Sequence, residues 1–243
     1  MRVARVLVPI AIASTLLAGC GGQADSGSQA APAAAATTVP DGNGVAALTA
    51  DEIRTKAVAA AEKAGSFQVK GESESDGDTL AVDLTFNGED LVGSIGTGGS
   101  TIHLLRVAGQ PYFKANAQFW TENGGPQGPA IAPLLGDRWV KIKPDDPTLG
   151  EVFKTARISE LIKPDGAVTK GEIKTIDAGP AIALIDGSDQ ILYVATTGEP
   201  YPLLLGSAGS TSQVVFSGYG STFEIKAPAA SEVIDFDKIT AGG

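Results

Sequence analysis

Three regimes of hydrophobic patterning follow one another along the chain. Val6 to Leu17 is almost continuously apolar, residues 21–48 carry no period at all, and from Thr49 onward regular periods begin. The first of these is helical: Ile53, Ala57, Val58, Ala61 and Ala64 recur at a spacing of three to four. Thr49-Ala50-Asp51-Glu52 forms a capping box ahead of them, with acidic residues at the positive end of the helix, and Gly65 stops it. At Ser66 the period becomes two. Phe67 and Val69 alternate with polar neighbours, then Leu80, Val82, Leu84 and Phe86 alternate with Ala81, Asp83 and Thr85. Turns rich in Gly, Asn and Asp at 75–78, 87–90 and 96–99 separate the runs, which continue through Ile102–Val107 and Pro111–Ala115. The pattern predicts one amphipathic helix followed by an antiparallel meander.

The middle of the chain interrupts the sheet. Ala117–Asn123, holding Phe119 and Trp120, the apolar run Ala130–Leu135, and Thr148–Ile162, with Val152, Phe153, Ile158, Leu161 and Ile162 on one side, read as helices. Arg138–Lys143 reads as a strand between them. After Pro164 the period of two returns in Val168–Asp177, Ala181–Asp186, Gln190–Ala195, Tyr201–Leu205, Gln213–Phe216 and Thr222–Lys226. About eleven strands and three or four helices result, in the order helix, strands, helices, strands. That segregation predicts an α+β fold with helices on one face of a large antiparallel sheet.

The N-terminus changes the picture of where such a domain works. Arg2 and Arg5 precede an apolar stretch too short for a bilayer of about 30 Å, so residues 1–19 are expected to be a signal peptide. Leu17-Ala18-Gly19-Cys20 resembles the lipobox of bacterial lipoproteins, in which the cysteine takes a thioether-linked diacylglycerol before cleavage. Cys20 is the one cysteine in the chain, so no internal disulfide competes for it. Residues 20–48, rich in Gly, Ala, Ser, Thr, Gln and Pro, are expected to be the lipidated cysteine and a disordered tether with a root-mean-square reach of roughly 30 Å. The expected arrangement is an exported domain, 49–243, held to the outer face of the cell membrane through Cys20.

Charge excludes partners. The chain has 18 basic against 28 acidic residues; without Arg2 and Arg5 the mature protein keeps 16 against 28, a net charge of −12. No basic cluster exists to track phosphates, so nucleic-acid binding is not expected, nor a polybasic contact with anionic lipid heads. Candidate chemistry is sparse. His103, the single histidine, lies between Ile102 and Leu104 in a strand and is expected to point from the opposite face. One imidazole without cysteine partners makes a poor zinc site, and no Gly-x-Ser-x-Gly elbow occurs. The glycines between Gly93 and Gly99 lack the lysine and helix of a phosphate loop. Asp76-Gly77-Asp78 and Asp145-Asp146 offer paired oxygens, yet turn chemistry accounts for both and calcium needs six to eight ligands. The expectation is a non-catalytic protein without metal or cofactor.

Four segments carry a resemblance. Thr49 to Gly71, Phe119-Trp120 followed by Gly136-Asp137-Arg138-Trp139-Val140-Lys141, Leu192-Tyr193-Val194-Ala195-Thr196-Thr197-Gly198-Glu199-Pro200-Tyr201-Pro202-Leu203, and Phe216-Ser217-Gly218-Tyr219-Gly220 to Ala227-Pro228 together resemble the actinobacterial LppX/LprG lipoprotein family. The likeness spans 49–236. It implies a half-barrel similar to the LolA and LolB carriers: a strongly curved antiparallel sheet with helices on its concave side, enclosing an apolar cavity for a lipid or glycolipid. Residues expected to meet between the layers are Phe119, Trp120, Leu134, Leu135 and Phe153 from the middle elements, facing Val82, Leu84, Phe86, Ile102 and Leu104 from the sheet. Side chains of this type line ligand pockets and fill cores alike. Two functions therefore follow, a carrier of a hydrophobic molecule or an accessory interaction lipoprotein with a filled core, its protein partner unspecified.

Overall fold

The computed structural model describes residues 42–75, 78–136, 138–146 and 149–235. The expected leader with Cys20, the greater part of the expected tether, Asp76, Gly77, Asp137, Pro147, Thr148 and residues beyond 235 lie outside the described residues.

Helix α1, Ala50–Ala64, begins and ends where its caps dictate. The Thr49 hydroxyl accepts from the Glu52 amide, and the Thr49 amide donates to the Glu52 carboxylate at 2.8 Å. The Thr49 amide bond first, and then a second bond that the Thr49 hydroxyl donates to the same carboxylate at 2.8 Å, hold the Glu52 carboxyl below its ordinary pKa. Gly65, at φ 74°, closes the helix in the left-handed region. Its buried stripe is Ala50, Ile53, Ala57, Ala60 and Ala61, so Ala60 takes the place expected for Ala64. Four alanines in that stripe let the helix axis lie close to the sheet.

The sheet follows as β1 (Ser66–Ser75), β2 (Asp78–Asn87), β3 (Asp90–Thr97), β4 (Ser100–Val107) and β5 (Gln110–Ala115), then β6 (Trp139–Lys141) after the first helices. β7 (Thr169–Ile176), β8 (Gly179–Ile185), β9 (Gln190–Ala195), β10 (Pro202–Ser207) and β11 (Gln213–Ser217) form the second run, and β12 (Val233–Asp235) comes last. The lateral order is β12-β6-β5-β4-β3-β2-β1-β11-β10-β9-β8-β7. Two meanders thus run inward or outward from a common seam, where β1 pairs with β11 (Gln68 opposite Ser217, Gly71 opposite Val214). β12 and β7 are the two edges, so the sheet is open, and twelve strands of that width curl rather than lie flat. The fold is α+β, the half-barrel arrangement expected, with a mixed sheet because β12 runs parallel to β6.

Curvature is written into two glycines. Gly71 and Gly93 have φ of 146° and 157°, and a Cβ on either would stand 2.0 Å from a carbonyl oxygen of the neighbouring strand, that of Gln213 or Asp83. Backbones pass too closely there for any side chain.

Between the meanders lie α2 (Ala117–Asn123), α3 (Gly128–Leu135), α4 (Leu149–Thr155) and α5 (Ile158–Leu161). The single helix expected over Thr148–Ile162 is two, broken at Arg157, whose backbone is extended (φ −128°, ψ 148°). Five residues apart on one helix, Phe153 and Ile158 would face about 140° apart; the break buries both, at 4% and 5% exposed. Thr222–Lys226 is not a strand. That stretch runs outside the sheet, with the Phe223 carbonyl accepting from Asn87 Nδ2 at 2.7 Å, and the C-terminal strand forms instead at 233–235. Residues 42–48 lie on the domain: Val45 is buried, Asn43 Nδ2 donates to the Ala195 and Gly198 carbonyls, and Lys170 Nζ donates to those of Ala46 and Leu48. No helix among the described residues is long and apolar enough to cross a membrane.

Candidate binding clefts between sheet and helices

One face of the sheet and all five helices share a single apolar core. Period-two alternation puts Val82, Leu84 and Phe86 of β2 and Leu104 of β4 on that face, buried, with Ile102 partly buried beside them. From the helices, Trp120, Leu135 and Phe153 are buried against it and Phe119 partly so. Leu134 is not: at 64% exposed it looks away from the sheet, while Leu135 next to it is 1% exposed. Leu135→Ala should therefore cost roughly 2–5 kcal/mol and Leu134→Ala within about 0.5 kcal/mol, read from denaturant midpoints of the two variants.

Phe113 of β5, which is not among the residues expected between the layers, is fully buried and organises the α2 contact. Its ring stands 5.3 Å from Phe119 and 5.6 Å from Trp120, the latter edge-on. Its signal was available in the alternation of Phe113 with Tyr112 and Lys114. A second aromatic run crosses the seam: Phe86 stacks on Phe67 at 4.4 Å, Phe67 on Tyr219 at 5.7 Å, and Tyr219 on Tyr201 at 4.0 Å. The Tyr219 hydroxyl donates to the Pro202 carbonyl at 2.7 Å, and burial pushes its pKa well up. Three of the segments that carry the family resemblance meet in this stack, through Phe67, Tyr201 and Tyr219.

Packing between the layers is incomplete. One cleft, of 620 Å³, opens where the C-terminus of α1 meets α4 and α5, and the buried rings of Phe67, Phe86 and Phe153 reach its wall beside Ala61, Pro111 and Ile158. Another, of 640 Å³, opens beside Val69, Leu80, Val82, Leu205 and Phe216. Both volumes fall in the range of small-molecule sites, roughly 300–1,000 Å³. The two are separated by little: Ile158 at the start of α5 borders the first, and Leu161 at its end borders the second. Of the expected lining residues, Phe86 and Phe153 border the first cleft and Val82 the second; Leu84, Leu104, Trp120 and Leu135 pack in the core.

The first cleft is also charged. Arg106, Lys154 and Arg157 border it, with Glu62 and Glu89. Arg106 lies on the helix-bearing face of β4, two residues past Leu104 and opposite Leu91, both fully buried. Its Nε donates to the Glu89 carbonyl. Burial lowers its pKa first and the neighbouring Arg157 charge lowers it further, against the pull of Glu89 and Asp90.

His103 alternates to the other face, its β-partners being Ser94 and Lys114. Among the described residues no three His, Cys, Asp or Glu side chains stand together as a metal site. That other face carries its own apolar cluster on β8–β10, Ala181, Ala183 and Tyr193 flanked by Ile176, Ile191, Leu203 and Leu204, beside a 550 Å³ groove.

No protein-family model matches the chain, and no curated protein does. Among solved structures it is similar to LprF from Mycobacterium bovis, at 12% identity and a TM-score of 0.41, the match covering 74% of this chain and 97% of that one. It is also similar to an uncharacterized conserved protein from Thermus thermophilus, at 11% identity and a TM-score of 0.38, covering 76% of this chain and 98% of that one.

Proposed function

We propose that this protein is a cell-envelope lipoprotein, anchored through Cys20, that binds or carries a lipid or other hydrophobic molecule in the clefts between sheet and helices, without catalysing a reaction. The observation that carries the reading is the 620 Å³ cleft itself, a space left between the two layers at which the edges of the otherwise buried Phe67, Phe86 and Phe153 come to the wall beside Ala61, Pro111 and Ile158. Leaving such surface unfilled forgoes about 25 cal/mol for each Å² that packing would remove from water, a loss that a ligand recovers. The proposed anchor and tether keep the domain beside a membrane, the source of such ligands.

Native mass spectrometry of the protein purified from its own host tests this directly, the expected result being a co-purified lipid. Ser159→Trp, which places an indole in the first cleft, should abolish uptake of a fluorescent acyl probe while leaving the fold intact. A ligand-free mass together with no probe uptake by the wild type rejects the reading. A second reading, an accessory lipoprotein that docks a protein partner, draws on the apolar cluster around Tyr193 on the face away from the helices. Empty clefts with a retained protein partner would favour it.

A further inference from the structure

We propose that the first cleft selects amphiphiles with an anionic oxygen head group, carboxylate or phosphate, held by Arg106 and Arg157 while the apolar chain lies against Phe67, Phe86 and Phe153. This rests on the reading that the cleft binds a hydrophobic molecule, and adds the head group to it.

Three observations converge. Arg106 occupies a strand position that the alternation Ile102, Leu104 makes part of the apolar face, where a guanidinium loses hydration that an aliphatic residue would not. The acceptor of its Nε–H is a neutral backbone carbonyl, that of Glu89, so this bond supplies no counter-charge, and among the described residues only the Glu89 and Asp90 carboxylates counter the charge, through space. Arg157 is brought to the same cleft by the extended break between α4 and α5, so that two guanidinium groups and Lys154 border one concavity in a chain of net charge −10. Like charges at a partly buried site repel, and Arg157 does oppose the charge on Arg106. A bound oxyanion would relieve both the repulsion and the lost hydration, and guanidinium forks match carboxylate and phosphate oxygens. Glu62 and Glu89, which line the same cleft, limit the accumulated positive charge, which suits one compact anion rather than a polyanion. The aromatic surface supplies what a free oxyanion has no use for, and the cleft volume exceeds what a head group alone would need.

The test compares 11-(dansylamino)undecanoic acid with its methyl ester by fluorescence titration near pH 7, where the acid is ionised. Inorganic phosphate in large excess serves as competitor. The acid should bind at least about tenfold more tightly than the ester, the scale of a charge-assisted hydrogen bond. Arg157→Gln, at an exposed position, should narrow that ratio without disturbing the fold, and Arg106→Gln with Arg157→Gln should bring it to about one with ester affinity unchanged. Arg106→Lys, which keeps the charge, should retain part of the preference even if Arg106→Gln fails to fold. Equal affinity for acid and ester in the wild type overturns head-group selection while leaving cleft binding intact; no binding of either overturns both. Excess phosphate should weaken the acid to the affinity of the ester and no further; phosphate that binds as tightly as the acid assigns the arginines to a free oxyanion and overturns the amphiphile proposal.

Discussion

Gly93→Ala should destabilise the protein by roughly 2–6 kcal/mol, the sum of overpacking at about 1–3 and backbone strain at about 1–3. The added methyl would stand 2.0 Å from the Asp83 carbonyl oxygen and 2.8 Å from the Leu84 Cα, and it cannot move away because φ of 157° belongs to glycine. Both partners are backbone, so no side-chain rotation relieves the contact. Leu84 is fully buried in the centre of the core, which means that the strand must shift there or the bend must open. Equilibrium unfolding in urea, with Gly98→Ala in the β3–β4 turn as a control for left-handed φ without a clash, measures the difference. A loss at Gly93 no larger than at Gly98 would show that close strand approach contributes nothing.

Phe113→Ala should cost about 3–5 kcal/mol, the range for removing a buried aromatic side chain. Phe113 is fully buried and touches both Phe119 and Trp120, which touch each other at 5.4 Å, so truncation strips two edge or tilted ring contacts along with the buried area. Because Phe119 and Trp120 lie on the seven-residue α2, which has little stability of its own, hydrogen exchange in 117–123 should accelerate more than in β4. A loss below about 1 kcal/mol, the size of an ordinary surface change, would mean that α2 is held elsewhere, for instance by its close approach to α3 at Gly124 and Gly128.

What the sequence revealed followed from how sharply each element is patterned. β2 was legible because Leu80, Val82, Leu84 and Phe86 alternate with polar residues without interruption. Gln190–Ala195 is legible to the residue, because a turn bounds it on one side and Thr196-Thr197-Gly198 on the other. Leu134 and Leu135 were indistinguishable for the opposite reason: Pro129 to Leu135 is apolar throughout, so no polar position marks the outward side of α3. Phe223 and Ile225 alternate well enough to suggest a strand, yet the chain returns after Gly220 to the start of β1, which is paired on both sides, by β2 and β11, and offers no free edge there. The break at Arg157 needs tertiary packing to choose it, as nothing local forbids a continuous helix there. Arg106 was readable in principle. Continuing the face of Ile102 and Leu104 by two residues lands on an arginine, the kind of inconsistency between pattern and residue that marks functional positions.

The β1–β11 seam has a consequence in time as well as in space. It joins the first strand made to the last but one, so every other pairing of the sheet except that of β12 with β6 lies within a contact made across nearly the entire domain. Local hairpins of each meander can form early, but closing so long a loop is slow, and chains dominated by such pairings fold in milliseconds to seconds rather than microseconds. The common core, which takes strands from both meanders, cannot assemble before the segment around Val214 and Phe216 is available. If the leader directs export as proposed, this delay is useful: the polypeptide stays threadable until almost all of it has been delivered, and the two halves are zipped together only on the far side.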